Sequence, residues 1–221
     1  IPTAMVHLQP SVIRSFIEPP VLAGMISNAR APEWLLRAQY WLADRVVIDR
    51  LLSPELNGLR SELGLAPRKY LFRDYLHSPR CTIGMFPEWF APPQSDWPPS
   101  IRLTGFPLYD ESDVLPLDSE LAAWLAAGKP PIAFTAGSAM KHGERFFAAA
   151  VAGCLRHGRR GLLLSRYPEQ LPKPLPPEVR HVQFAPFTHL LPRCAALVHH
   201  GGIGTMSQAL VAGIPQLVVP M

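Results

Sequence analysis

Residues 195–219 read AALVHHGGIGTMSQALVAGIPQLVV, and this stretch constrains the fold more than any other. Residues 195–198 are apolar without a breaker, the pattern of a buried strand. Gly201, Gly202 and Gly204 then permit a tight turn with positive φ. Thr205 and Gln208 have capping-box spacing, which predicts a helix from Met206. The helix ends near Gly213, because Pro215 cannot continue it. Residues 216–219 form the next strand. Such an order belongs to a parallel sheet, whose neighbouring strands need a helical crossover between them.

This order leaves the first N–H groups of the helix unpaired at the carboxyl edge of the sheet. A phosphate or diphosphate is the natural guest there. His200 sits at the mouth of the turn and can donate a hydrogen bond to that guest, as a neutral or a charged ring. Many α/β proteins carry such a turn and bind nothing in it, and the local pattern leaves both readings open. The segment is neither G-x-G-x-x-G nor a Walker loop, since no G-K-S/T occurs. His199 and His200 are adjacent and point to opposite sides of an extended chain, which argues against a metal site.

Upstream, the pattern repeats. A helix over 117–128 leads to a strand at 131–135, a turn through Gly137 and Ser138, and a helix from His142 to Arg156. Strands are expected at 161–165 and 181–184, with a helical turn near His189 before the glycine segment. Repeated βα units of this length predict a mostly parallel sheet with helices on both faces, and a ligand crevice at the carboxyl ends of its strands. Ser138 at one such end either donates to a phosphate or caps the next helix. Phe184 and Phe187 at another either stack on a planar base or pack in the core.

The first half is less periodic. It offers a strand at 3–8, an interrupted helix over 12–26, a helix over 33–50, a second helix from Pro54 to Leu63 capped by Ser53, and strands at 71–76, 82–86 and 101–103. Residues 106–116 are proline-bounded, acidic and aperiodic, and read as a linker between domains at 1–105 and 117–221. The 26 prolines are about twice the ordinary share and cluster between elements, as rigid loops. A net charge of +4 spread over scattered Lys and Arg lacks the dense stripe that nucleic acid requires. It suits an anionic small ligand or an anionic membrane surface. The three cysteines show no pairing motif and sit in apolar settings, the pattern of reduced thiols in a cytoplasmic protein.

The stretch QFAPFTHLLPRCAALVHHGGIGTMSQALVAGIPQLVVP resembles the nucleotide-sugar motif of family 1 glycosyltransferases. FTAGSA at 134–139 resembles their first phosphate-side loop, DWPPSIRLTGFPLYD at 96–110 their exit from the N-terminal domain, and IPTAMVHLQP the middle of that domain. The resemblance covers essentially the whole chain. It implies an α/β fold of GT-B type, two Rossmann-like domains facing a cleft, with the N-terminal domain incomplete and the last part of the C-terminal domain absent.

By position, the resemblance places the nucleobase against Phe184 and the backbone of Pro186 and Phe187. His200, Gly202, Gly204, Thr205 and Ser138 meet the diphosphate. Gln208 falls where plant relatives hold the ribose with a glutamate, or else it only closes the capping box. The implied donor is a UDP-sugar or TDP-sugar, with no cofactor or metal required. The implied reaction is inverting transfer of a hexose to a small acceptor, and Trp34, Tyr40, Trp41, Trp89 and Phe90 suggest that this acceptor is apolar or lipid-like. The family's catalytic base and its sugar-contacting acid–glutamine pair match nothing in this chain, so no catalytic residue is assigned. The chain alone is accordingly expected to bind nucleotide weakly and to transfer nothing. A non-catalytic nucleotide-binding protein on the same fold is the alternative reading, and a nucleotide-sugar epimerase a weaker one.

Overall fold

The computed structural model describes residues 3–22 and 24–220, and the chain divides into two compact units, Ile1–Phe106 and Pro107–Met221. The first unit holds a parallel sheet of three short strands, β1 (Met5–His7), β2 (Thr82–Gly84) and β3 (Ile101–Leu103), in that order. Its helical part is α1 (Glu33–Leu42), a π-helical stretch Ala43–Ile48, and α2 (Asp49–Glu62).

Three sequence expectations fail in this unit. Pro54 does not begin a helix but lies inside α2, which continues from the helical backbone before it. A helix already propagating upstream adds residues at little further entropic cost, so it carries across one missing N–H. No helix forms over 12–26, of which position 23 lies outside the described residues. Only a 3₁₀ turn at Pro10–Val12 forms, and side chains hold the segment beyond it. Asp96 accepts from the Ser15 hydroxyl and the Phe16 N–H, and the Arg14 guanidinium makes a two-pronged ion pair with the buried Asp44. Finally, Leu71–Tyr75 is one π-helical turn rather than a strand. The Asp49 carboxylate accepts from the N–H groups of Tyr70 and Leu71 and so caps that turn from α2.

The second unit matches the βα alternation closely. It runs α3 (Ser119–Ala126), β4 (Ile132–Thr135), α4 (Glu144–Arg156), β5 (Gly161–Leu164), β6 (Val179–Val182), α5 (Phe187–Leu190), β7 (Ala196–His199), α6 (Ile203–Val211) and β8 (Gln216–Val218). All pairings are parallel, in the order β6-β5-β4-β7-β8. Asp118 caps α3 by accepting from the Leu121 N–H.

One core lies on each face of this sheet. Leu121, Leu125, Leu190, Leu191 and Ala209 bring α3, α5 and α6 against Ala133, Leu162, Leu164 and Leu197. Phe147, Ala150, Val151 and Cys154 bring α4 against Phe134, Leu163 and Val179. Strand order reverses about β4: the β4–α4–β5 unit steps one way, the β7–α6–β8 unit the other. Right-handed crossovers therefore put α4 and α6 on opposite faces, and the strand ends beside β4 become a switch point where a ligand crevice opens.

Two boundary shifts bear on the cavity. The strand expected at 181–184 is Val179–Val182, because its register is set by Gly161–Leu164 of β5. Phe184 therefore stands in the loop beyond the strand. Helix α6 begins at Ile203, three residues before Met206, with Gly202 as its N-cap and no side chain closing it. Thr205 and Gln208 thus do not form a capping box. Among the described residues, no helix is long and apolar enough to cross a membrane.

Candidate functional site

A cavity of about 460 Å³ opens at the switch point of the second unit. It is lined by Ser138, Phe184, Phe187, His200, Gly202, Gly204, Thr205 and Gln208, together with Thr135, Ser165, Arg166, Gln183, Tyr109 and Glu111. Pro186 is not in the wall. It is buried and precedes α5 as its N-cap. His142 lines a separate cavity with Met140, Arg145 and Phe146.

The chemistry gathers where β4 and β7 end. Gly201 is the one glycine of its cluster in the left-handed region, at φ +94, and it turns the chain from β7 into α6. The Met206 N–H bonds the Gly202 carbonyl, which leaves the N–H groups of Ile203, Gly204 and Thr205 without partners inside the helix. Those donors and the positive end of the helix form an anion-binding corner. Facing it, Gly137 has φ +95, and its N–H donates to the Thr135 hydroxyl.

His200 is wedged between these two turns. A Cβ at Gly137 would stand 2.9 Å from its Cε1, and one at Gly202 would collide with its Nε2. Both glycines are therefore needed for the ring to lie where it does. Its Nδ1 is buried without a hydrogen-bond partner, an arrangement that native proteins usually avoid. Burial pushes its pKa below the ordinary histidine value. A neutral ring has one N–H to donate and regains its charged form readily beside an anion.

His199 has a different task. Its ring is fully buried, Nδ1 accepts from the Gly201 N–H at 3.1 Å, and Nε2 lies 3.0 Å from Gln216 Oε1. Accepting at Nδ1 fixes the tautomer with hydrogen on Nε2, which then donates to Gln216. Burial is the largest influence on its pKa and lowers it; the Gln216 contact opposes this and the neighbouring His200 adds to it. His199 so pins the glycine turn to β8 as a neutral ring.

Two supports have no signal in the sequence pattern. Gln170, buried, accepts from the Gly143 N–H and donates to the Met140 carbonyl, holding the loop after Ser138. The segment from Leu108 to Ser112 is strapped along the cavity by three bonds. Gln208 Nε2 donates to the Leu108 carbonyl, Asp110 Oδ2 accepts from the Thr188 N–H at 2.6 Å, and His189 Nε2 meets the Ser112 carbonyl. Burial alone would raise the pKa of Asp110, but the bonds from Thr188 and Ser112 outweigh it and hold the carboxyl below its ordinary range. The Leu108 carbonyl needs a donor, which explains an amide at position 208: a carboxylate could not make that bond.

Residues 165–221, which carry β6 to β8 and most of the cavity wall, match the family model described as Erythromycin biosynthesis protein CIII-like, C-terminal domain. The chain is 36% identical over 170 residues to O-mycaminosyltylonolide 6-deoxyallosyltransferase of Streptomyces fradiae, an alignment covering 76% of this chain and 39% of that protein. It is 30% identical over 234 residues to an uncharacterized glycosyltransferase of Mycobacterium bovis, across 99% of this chain and 51% of the relative. Among solved structures it resembles the glycosyltransferase SnogD from Streptomyces nogalater, with a TM-score of 0.54 and 27% identity over 78% of this chain and 44% of that one. The chain spans about half or less of the length of these proteins. It is related to the GT-B glycosyltransferases of bacterial natural-product and sterol type, and its two α/β units are of that fold.

Proposed function

We propose that this chain forms the donor-nucleotide site of an inverting glycosyltransferase that moves a hexose from a UDP-sugar or TDP-sugar to a hydroxyl of a small, apolar acceptor. The observation that carries this reading is His200, held between Gly137 and Gly202 with an unpartnered buried nitrogen, beside the open N–H groups of α6. The kinship with sugar-transferring enzymes supports it.

In this mechanism the acceptor oxygen attacks the anomeric carbon as its proton is removed, and the nucleoside diphosphate departs on the opposite side. One displacement inverts the configuration. Negative charge grows on the leaving diphosphate, which His200, the Ser138 hydroxyl and the first N–H groups of α6 stabilise from the cavity wall. The base lies against Phe184 and Phe187. The acceptor binds the first unit, where Trp89, Phe90 and Phe106 form a mutually edge-on aromatic group and Trp34, Trp41 and Trp89 are exposed. Tyr40 takes no part, being buried against Arg14 and Phe16. Thiols kept reduced by burial suit a cytoplasmic enzyme: the Cys194 thiol is pushed up to about 12 by desolvation, and burial also raises that of Cys154.

Calorimetric titration with UDP tests the reading. His200→Ala should weaken binding by about 10- to 100-fold, the worth of a hydrogen bond to a charged group. Equal affinity in the folded variant would contradict the assignment.

A further inference from the structure

A nucleoside diphosphate in this cavity presents, between its base and its phosphates, a ribose whose hydroxyls are donors. The wall offers two carboxylates, Asp110 and Glu111. The Asp110 oxygens are occupied, accepting from the Ser112 N–H at 3.3 Å and the Thr188 N–H at 2.6 Å. The Glu111 side chain makes no hydrogen bond or ion pair among the described residues, and it is exposed to the cavity.

The backbone holding Glu111 is firmly set. Its φ is +63, a left-handed conformation that a glutamate rarely adopts. Its carbonyl accepts from the N–H groups of Val114 and Leu115, at 3.1 and 2.8 Å. One residue before it, Asp110 is tied to the start of α5, and Leu108 is tied to Gln208 of α6. The strap therefore delivers one free carboxylate to the cavity at a fixed place. An ionised carboxylate with both oxygens open is the strongest acceptor for a vicinal diol.

We propose that Glu111 reads the ribose, accepting hydrogen bonds from its 2′- and 3′-hydroxyls, so that the site takes ribonucleoside diphosphates in preference to their 2′-deoxy counterparts. This rests on the reading of the cavity as a nucleoside-diphosphate site and adds to it a selection by sugar. The diol supplies the donors, no covalent step is involved, and the selected donor class is the UDP-sugar over the TDP-sugar.

The test is a titration of the 221-residue chain with UDP and with 2′-deoxyuridine 5′-diphosphate, monitored by ligand-observed NMR. The wild type should bind UDP about tenfold more tightly, the usual worth of a charge-assisted hydrogen bond. In Glu111→Gly, which keeps the left-handed backbone without strain, and in Glu111→Asn, which tolerates it, the ratio should approach one. Affinity for the deoxy ligand, which keeps only its 3′-hydroxyl, should fall less than that for UDP, and circular dichroism reports that the variants fold. Equal binding of the two ligands by wild type, or a ratio that survives in both variants, overturns the role of Glu111 while leaving the nucleotide site standing. Absence of binding by either ligand to the folded wild type overturns both.

Discussion

At the scale of single residues, the two adjacent histidines divide labour. Side chains alternate along β7, so His199 faces the interior and His200 continues out into the glycine turn. Alternation separates their two sides in the sequence already, but the task of His199 shows only in its partners. His199 bonds both the Gly201 N–H and Gln216. Replacing it with phenylalanine keeps an aromatic ring at the position and removes both bonds, leaving Gln216 Oε1 and the Gly201 N–H to find other partners. Two broken bonds at a buried site cost about 2–4 kcal/mol. Urea denaturation of His199→Phe measures the loss, and a change below about 0.5 kcal/mol would show that the pin is not structural.

At the scale of elements, the strap from Leu108 to Ser112 is the least expected feature. Its residues lie within the stretch read as a linker, where proline and acid without periodicity give no sign of attachment. The bond that matters comes from Gln208 on α6, a hundred residues away in sequence. Gln208→Glu should be worse than Gln208→Ala. The alanine loses one bond, whereas the glutamate places a negative oxygen against the Leu108 carbonyl. Faster amide exchange at Thr188 in the glutamate variant, with the alanine variant between it and wild type, is the expected result.

The second unit is legible in the sequence because its strands are short apolar runs bounded by glycine and proline, and its helices carry clean 3.6-residue repeats. The boundaries that shift do so for tertiary reasons. Register against β5 moves β6 back by two residues, and the open start of α6 replaces a capping box. The first unit is less legible because side-chain bonds organise its loops. Asp96, Asp49 and Asp44 each bond backbone or side-chain groups far along the chain, and local propensity carries no record of such contacts. As for the cavity, the glycines, His200 and the phenylalanines can be picked out from their turns and strand ends. Glu111, Gln170 and Arg166 reach the same region from loops whose path the sequence does not disclose.

At the scale of the molecule, four histidines share one electrostatic condition. His7, His77, His199 and His200 all have pKa values lowered by burial. His7 and His77 also share one hydrogen bond, 3.1 Å between ring nitrogens, in the first unit. A folded pKa below the unfolded one means that the unfolded chain binds more protons as pH falls. The resulting stability is complete above the ordinary value of 6.5 and is lost as pH drops through the lowered folded values. Both units should therefore melt at lower temperature at about pH 5.5 than at about pH 7.5, an interval in which ordinary carboxylates stay largely ionised. A Tm independent of pH over that interval would contradict the burial of these rings as neutral groups.

The kinship, the two parallel sheets and the anion corner converge on one central claim, that the second unit grips the diphosphate of a nucleotide sugar with His200 and the first turn of α6. Amide chemical-shift mapping of the whole chain, titrated with millimolar UDP-glucose, tests it most directly, because it registers weak binding and locates it. Shifts confined to Gly137, Ser138 and residues 200–205, with smaller ones near Phe184 and Glu111, are the predicted result. Unchanged amides there at saturating ligand, or shifts centred instead on the cavity of His142 and Phe146, would contradict it.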